Sequence, residues 1–315
     1  MLLSCGDALI DFLPAKSADG RDALVPVVGG SCLNIAIGMA RLGAPAGFVG
    51  GISSDLFGRM IADHATESGV DLNLATRSVQ PTTLAFVRTI DGEAQYAFYD
   101  EQTASRQWTY RLGSIRFADV EAIHVGSTTL VERPGYDEAL AMIEEAGRST
   151  TVSFDPNCRP NLVRDKDDYV RRMEQLATQS DIVRLSNADF TYLHGNNDHA
   201  RKAKALLEGR TSLFVVTHGG DGVQAWHKHA GMVTVKAPRV DVVDTIGAGD
   251  SFQAALLYAL HRMGRIHSEA LAKMQAADLQ AALAFAAYCA AQTCRRPGAD
   301  LPRLAELEAN ALTGL

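Results

Sequence analysis

Apolar and polar positions along this chain follow two rhythms. In the first, short and almost wholly apolar runs alternate with longer segments whose apolar residues recur every three or four positions. The runs at 2–5, 46–50, 122–125, 151–154, 182–185 and 213–217 predict buried strands, and the segments 33–42, 56–68, 136–146, 168–178 and 200–207 predict helices between them. Strands that are apolar on both faces need cover on both faces. The alternation therefore predicts a mainly parallel central sheet in a three-layer α/β/α core. From residue 251 the spacing is almost all helical, over 251–263 and then 269–293.

The second rhythm has period two and occupies 10–28 and 83–99. Such alternation predicts half-exposed strands on a separate small sheet. Within the later segment, Leu84 to Arg88 and Gln95 to Tyr99 flank Asp91-Gly92, a hairpin turn signal. A small sheet inserted into an α/β core can act as a lid that keeps water from a reaction, although a purely decorative hairpin would show the same pattern. No repeat and no long linker divides the chain. We expect one α/β domain over 1–315, with a β-sheet lid inserted from about 11–28 and 82–100.

Composition narrows the functional classes. The 315 residues are 47% hydrophobic and 21% charged, which suits a folded core and not a disordered chain. A net charge of −7 without a dense Lys/Arg stripe argues against nucleic acid. No apolar run reaches the roughly 18 residues of a membrane span, and the first residues lack a basic stretch and meet Asp7 early, so a cytoplasmic protein without membrane attachment is expected. Cys5, Cys32, Cys158, Cys289 and Cys294 are odd in number and form no C-x-x-C pair, which predicts reduced, buried thiols. His227 and His229 read as a hairpin tip, and no Walker-type phosphate loop is present.

Chemistry concentrates in the run Val242-Val243-Asp244-Thr245-Ile246-Gly247-Ala248-Gly249-Asp250-Ser251-Phe252. An apolar strand end passes through small residues into a long helix, so backbone N–H groups and the helix dipole can meet an anion there. Asp250 would repel that anion. Its presence makes sense if it takes a proton from an attacking hydroxyl, which points to phosphoryl transfer onto an alcohol; an ordinary helix cap is the plain alternative. Gly29-Gly30-Ser31-Cys32-Leu33-Asn34 opens the first helix, with Asn34 about one turn in, although a double glycine is often only a turn. Asp11 lies just past the first strand, where an acid is costly unless it meets ligand or solvent.

The Gly247 to Asp250 turn resembles the Asp-Thr-x-Gly-Ala-Gly-Asp signature of the ribokinase/PfkB sugar-kinase family, with each fixed position filled. Gly29, Gly30 and Asn34 resemble its Gly-Gly-x-x-x-Asn element; Ser31, Cys32 and Leu33 stand where many fructokinases carry Ala-Pro-Ala. The resemblance runs from Gly6 to Ala299. It is strongest toward fructokinases at Thr82 to Val87, His124 to Ser127 and Asp155-Pro156-Asn157-Cys158-Arg159.

What the resemblance implies is a ribokinase-like fold and transfer of the ATP γ-phosphoryl group to the C6 hydroxyl of fructose. Asp250 would be the base and Gly247, Ala248 and Gly249 the anion hole, with Arg159 steadying phosphoryl charge. Asp11, Gly29, Gly30, Asn34 and Phe98 would bind sugar. Ser186-Asn187-Ala188-Asp189 stands where the family often has Asn-x-x-Glu, which implies a Mg²⁺ role for Asp189 and a nucleotide role for Asn187, with helix capping as the alternative. Thr217, Gly219 and Gly222, together with Gly249, would meet ATP. Asp244 with the loop 294–299 would form a monovalent-cation site for K⁺. A homodimer through lid strands is the expected assembly. A 2-keto-3-deoxygluconate kinase, another sugar or nucleoside kinase of the fold, or a silent sugar-binding protein are the alternatives.

Overall fold

The computed structural model describes residues 1–90, 93–312 and 314–315. The proposed turn at Asp91-Gly92 lies outside the described residues. The chain opens with β1 (Leu2–Cys5), β2 (Leu9–Lys16), β3 (Asp22–Gly29), α1 (Ser31–Arg41), β4 (Ala46–Val49), β5 (Gly51–Ser53) and α2 (Leu56–Glu67). Next come β6 (Thr76–Ser78), β7 (Thr83–Ile90), β8 (Glu93–Tyr99), β9 (Ala122–Gly126), α3 (Gly135–Ala146), β10 (Thr151–Asp155) and α4 (Lys166–Thr178). The remainder is β11 (Ile182–Ser186), α5 (Asn187–His194), α6 (His199–Leu207), β12 (Leu213–Thr217), β13 (Val223–His227), β14 (Gly231–Val235), α7 (Ala248–Arg262), α8 (Ser268–Ala272) and α9 (Ala276–Cys294).

Eight strands form the central sheet in the order β14-β13-β12-β11-β10-β9-β1-β4. From β12 to β4 every pairing is parallel, while β13 and β14 add an antiparallel hairpin at one edge. Side-chain alternation decides which layer each residue joins. On β12, Leu213 and Val215 pack with α1, α7 and α9, whereas Phe214 and Val216 pack with α3 to α6 on the opposite face. The six apolar runs therefore became strands because only a doubly covered sheet buries both of their faces.

The two period-two segments pair with each other in a separate four-stranded sheet, β3-β2-β7-β8. Within it β2 runs antiparallel to β3 and parallel to β7, so residues some seventy positions apart share a face. A two-stranded ladder, β5 with β6, escaped the sequence reading because each strand has only three residues. The reading also needs one correction in the last third. The expected helix over 269–293 is broken at Lys273 to Gln275, where Met274 is fully buried and α8 ends before α9 begins. An Ala-rich stretch without Gly or Pro hides such a break, because helix propensity is high on both sides of it.

All five cysteines are free thiols, four of them buried. His227 ends β13 with its Nε2 at 2.7 Å from the Leu271 carbonyl and its Nδ1 accepting from the N–H groups of His229 and Ala230. Among the described residues no helix is long and apolar enough to cross a membrane.

Candidate active site

The carboxyl ends of β1, β9, β10, β11 and β12 lie side by side, as their parallel register requires, and the loops that leave them meet the start of α7. A cleft of about 800 Å³ opens there, beneath the four-stranded sheet. Leu9, Asp11 and Leu13 reach it from alternate positions of β2, with Val87 from β7 and Phe98 from β8. Gly247, Gly249 and Asp250 line it from the core.

Gly247 caps α7 with φ 75°, a left-handed conformation that suits glycine. A Cβ at this residue would lie 2.6 Å from the Ala299 Cβ, so the loop after α9 seals the back of the turn. Asp244 joins the two. Its Oδ1 accepts from the Ile246 N–H and its Oδ2 from the Gly298 N–H at 2.8 Å, while the Cys294 carbonyl accepts from the N–H groups of Val243 and Asp244. The two Asp244 carboxylate oxygens each accept one N–H and retain capacity for a monovalent cation, whereas the Cys294 carbonyl already accepts two N–H groups.

Asp250 sits in the first turn of α7 and keeps part of its surface open to the cleft. Ser31 Oγ donates to its Oδ1 at 2.6 Å and Asn34 Nδ2 donates to its Oδ2 at 2.9 Å. Burial raises the Asp250 pKa, the hydrogen bonds from Ser31 and Asn34 pull it down, Asp7 pushes it up and Arg159 lowers it; the net shift is upward. Asn34, expected on sugar, lines the cleft and gives one of its two amide N–H groups to the carboxylate. Helix packing explains why α1 and α7 meet so closely. One turn beyond these residues, Gly38 faces Ala254, and a Cβ on Gly38 would lie 2.6 Å from the Ala254 Cβ.

Asp11 lies across the cleft on β2. Burial first, and then Asp7, pushes its carboxyl up to about 7. Gly29 does not reach the cleft lining; a Cβ there would come within 2.1 Å of Asp11 Oδ2, so this glycine makes room for the acid. Gly30, with φ 102°, lets the chain turn from β3 into α1. Asp7, given no role from sequence, holds the site's frame: its Oδ1 accepts from the Cys32 N–H and its Oδ2 from the Ser127 and Thr128 hydroxyls.

The Asp155 segment is organised around a buried cation that sequence reasoning missed. Arg184, on β11, donates from Nη1 to Asp155 Oδ2 at 2.5 Å and from Nη2 to Thr217 Oγ1 at 2.6 Å. It therefore ties the ends of β10 and β12 together beneath Gly249. A charged residue inside an otherwise apolar strand was the available signal. Asn157 takes φ 41°, and its carbonyl and amide oxygens accept from Arg159 Nη1, which holds that guanidinium at the cleft wall.

Asp189 accepts from the Cys158 N–H and from Ser186 Oγ, and Ser186 caps α5, so the capping alternative is present in the geometry. Burial, and then Asp155, raise the Asp189 pKa. Two mutually repelling carboxylates fit a hydrated divalent cation that also takes phosphate oxygens. Asn187, Thr217, Gly219 and Gly222 do not line this cleft; they gather beside it, because Ser186 and Thr217 are paired in register across β11 and β12. Gly219 and Gly222 both have positive φ, and a Cβ on Gly222 would collide with the Val235 carbonyl at 2.1 Å.

This three-layer core with its small separate sheet is the ribokinase-like class of fold. A family model for pfkB family carbohydrate kinases matches residues 1–306, and the chain belongs to that family. A fructokinase of Rhizobium leguminosarum bv. trifolii is 38% identical over 260 residues, which cover 82% of this chain and 79% of the relative. The crystal structure of a fructokinase with bound ATP from Xylella fastidiosa superposes with a TM-score of 0.88 at 29% identity, over 97% of this chain and 96% of that one. A fructokinase from Vibrio cholerae O395, in a fructose-, ADP- and calcium-bound form, gives a TM-score of 0.79 at 25% identity, over 95% and 94% of the two chains.

Proposed function

We propose that this chain is an ATP-dependent fructokinase that transfers the γ-phosphoryl group to the C6 hydroxyl of D-fructose. The observation that carries the reading is Asp250, a half-open carboxylate in the first turn of α7, beside an N–H-rich turn and across the cleft from Asp11. Asp11 and Gly30 would hold the sugar, with Phe98 against its apolar edge and Asn34 acting through Asp250. The C6 hydroxyl would then give its proton to Asp250 as the oxygen attacks phosphorus. Amides of Gly247 and Gly249 would meet the charge on the transferring group, joined by that of Ala248 once it leaves the Thr245 carbonyl, 3.3 Å away, and Arg159 and Arg184 add fixed positive charge around it.

Asn187, Thr217, Gly219 and Gly222 would receive ATP beside the cleft. Mg²⁺, held by Asp189 through water together with the nucleotide phosphates, supplies charge neutralisation when bound. K⁺ beside Asp244 would stiffen the Gly247 turn. The four-stranded sheet serves as a lid within one α/β domain, and its edge strand β3, with Leu24 and Val25 exposed, supports a homodimer formed through lid strands. The enzyme would work in the cytoplasm.

ATP consumption measured against fructose, ribose, 2-keto-3-deoxygluconate and fructose 6-phosphate tests the assignment. Fructose should give the highest kcat/KM; a higher value for another sugar would move the chain elsewhere in the family, and no turnover with any would leave a binding protein.

A further inference from the structure

Ser31 occupies the first turn of α1, directly behind Gly30, and reaches across 219 positions of sequence to Asp250. At 2.6 Å its hydroxyl is at the distance of a charge-assisted bond to an ionised carboxylate. Asn34, one turn further along α1, takes the second oxygen. The carboxylate is thus held from both sides by one helix end, whose dipole also favours negative charge. An ionised carboxylate only accepts; once it gains a proton, the Ser31 bond loses its charge assistance. A donor fixed in this place therefore opposes protonation.

We propose that Ser31 is a positioning residue that keeps Asp250 ionised and aligned for proton abstraction, which rests on the reading of Asp250 as the base. The opposing influences are strong. The charged and titratable groups around Asp250 are Asp7 after β1, Asp11 on β2, Cys32 on α1, Arg159 in the loop after β10 and Arg184 on β11. Asp7 and Asp11 favour a protonated Asp250, Arg159 and Arg184 favour an ionised one, and the Cys32 thiol, itself driven far up by burial, remains neutral. Burial also favours the protonated form, and among the influences that lower the Asp250 pKa the Ser31 hydroxyl is the largest. While it donates to Asp250 the hydroxyl oxygen keeps lone pairs that can accept, so an arriving sugar hydroxyl need not displace it.

The test is the pH dependence of kcat at saturating fructose and ATP between pH 5 and 9, which leaves out the effect of Asp11 on sugar KM, for the native enzyme, Ser31→Ala, Ser31→Thr and Asp250→Asn. A base with a raised pKa is deprotonated only at higher pH. Ser31→Ala should move the acidic limb upward by about one pH unit, with a plateau within a few-fold of native at high pH, since a bond to a charged group is lost. Ser31→Thr, which retains a hydroxyl, should return the limb toward its native position. An acidic limb that stays in place in Ser31→Ala, whether or not the plateau drops, overturns the proposal. Asp250→Asn separates the two readings: an active variant removes the base assignment itself, whereas an inactive one with an unmoved Ser31→Ala limb removes only the role of Ser31.

Discussion

The guanidinium of Arg184 lies against the backbone of Gly249: a Cβ placed on that glycine would stand 3.2 Å from both Nη1 and Nη2. The Gly247 to Asp250 turn and a permanent cation are thus in contact at the floor of the cleft. A Cβ on Gly249 would press on the guanidinium and require it to give by a few tenths of an ångström. The cation is in turn fixed by Asp155 and Thr217, so its position is decided by the sheet and not by the loop above it.

Replacing Arg184 by Met should therefore affect both stability and chemistry. Asp155 would be left buried without its ion-pair partner, a loss of about 3–5 kcal/mol for breaking such a pair from one side. Urea denaturation checks this, and a variant as stable as the native protein would show that Asp155 is solvated in some other way. Arg184→Lys keeps the charge but cannot reach Asp155 and Thr217 with a rigid fork, so kcat should fall while much of the stability returns.

Gly247→Ala meets two obstacles at once. The residue has φ 75°, and the new Cβ would overlap Ala299. The left-handed strain alone costs about 1–2 kcal/mol, so the turn should relax outward and its amides lose their aim. Turnover should drop at least tenfold with little change in sugar affinity measured by calorimetry. A variant that loses sugar binding and keeps kcat would contradict an anion-binding role for this turn.

Asp11 makes a pH prediction whose sign follows from its raised pKa. Its folded-state value is pushed to about 7, above the 3.8 of an unperturbed Asp, so between those values the folded protein holds a proton that the unfolded chain has released. Stability contributed by this site is then present at low pH and is lost as pH rises through about 7. Asp11→Asn should stabilise the protein at pH 8, on the order of 2 kcal/mol, and by much less at pH 5. In the native enzyme, KM for sugar should rise below pH 7, because the protonated acid accepts fewer hydroxyl hydrogen bonds; in Asp11→Asn that dependence should flatten. Equal stabilisation at both pH values would show that Asp11 is not the titrating group.

What the sequence disclosed depended on whether neighbours in space were neighbours in the chain. The strands at 122–125 and 213–217 and the helix start after Gly247 are local patterns, and they stood where spacing put them, whereas the strand end expected at Val242-Val243 did not form, since both valines are exposed in a loop and pair with no sheet. The small sheet was legible because period two survives in each strand separately. Arg184 and Ser31 were not, because their partners are set by sheet register and helix docking: Asp155 and Thr217 lie 29 and 33 positions away, and Asp250 lies 219 away. Asn34 was legible as a site residue, but its partner was not, since an amide one turn into a helix fits a sugar hydroxyl and a carboxylate equally well.

The docking of α1 against α7 yields the last prediction, at a residue outside the cleft. Gly38 faces Ala254 and Leu301, and an added Cβ would lie 2.6 Å from each. Gly38→Ala gains helix propensity of about 1 kcal/mol, but overpacking in a close-packed interface costs about 1–3 kcal/mol, so net stability should fall by about 0–2 kcal/mol. Activity is the more sensitive readout. The two helices pass side by side from Asn34 and Asp250 to Gly38 and Ala254, so forcing them apart at the second contact lengthens the hydrogen bonds at the first. The kcat should therefore fall by more than the stability change explains, and Gly38→Val should deepen the loss. A Gly38→Ala enzyme with native kcat and native melting temperature would mean that α1 can slide along α7 without disturbing Asp250, and that the clamp on the carboxylate does not depend on the close approach of the helices.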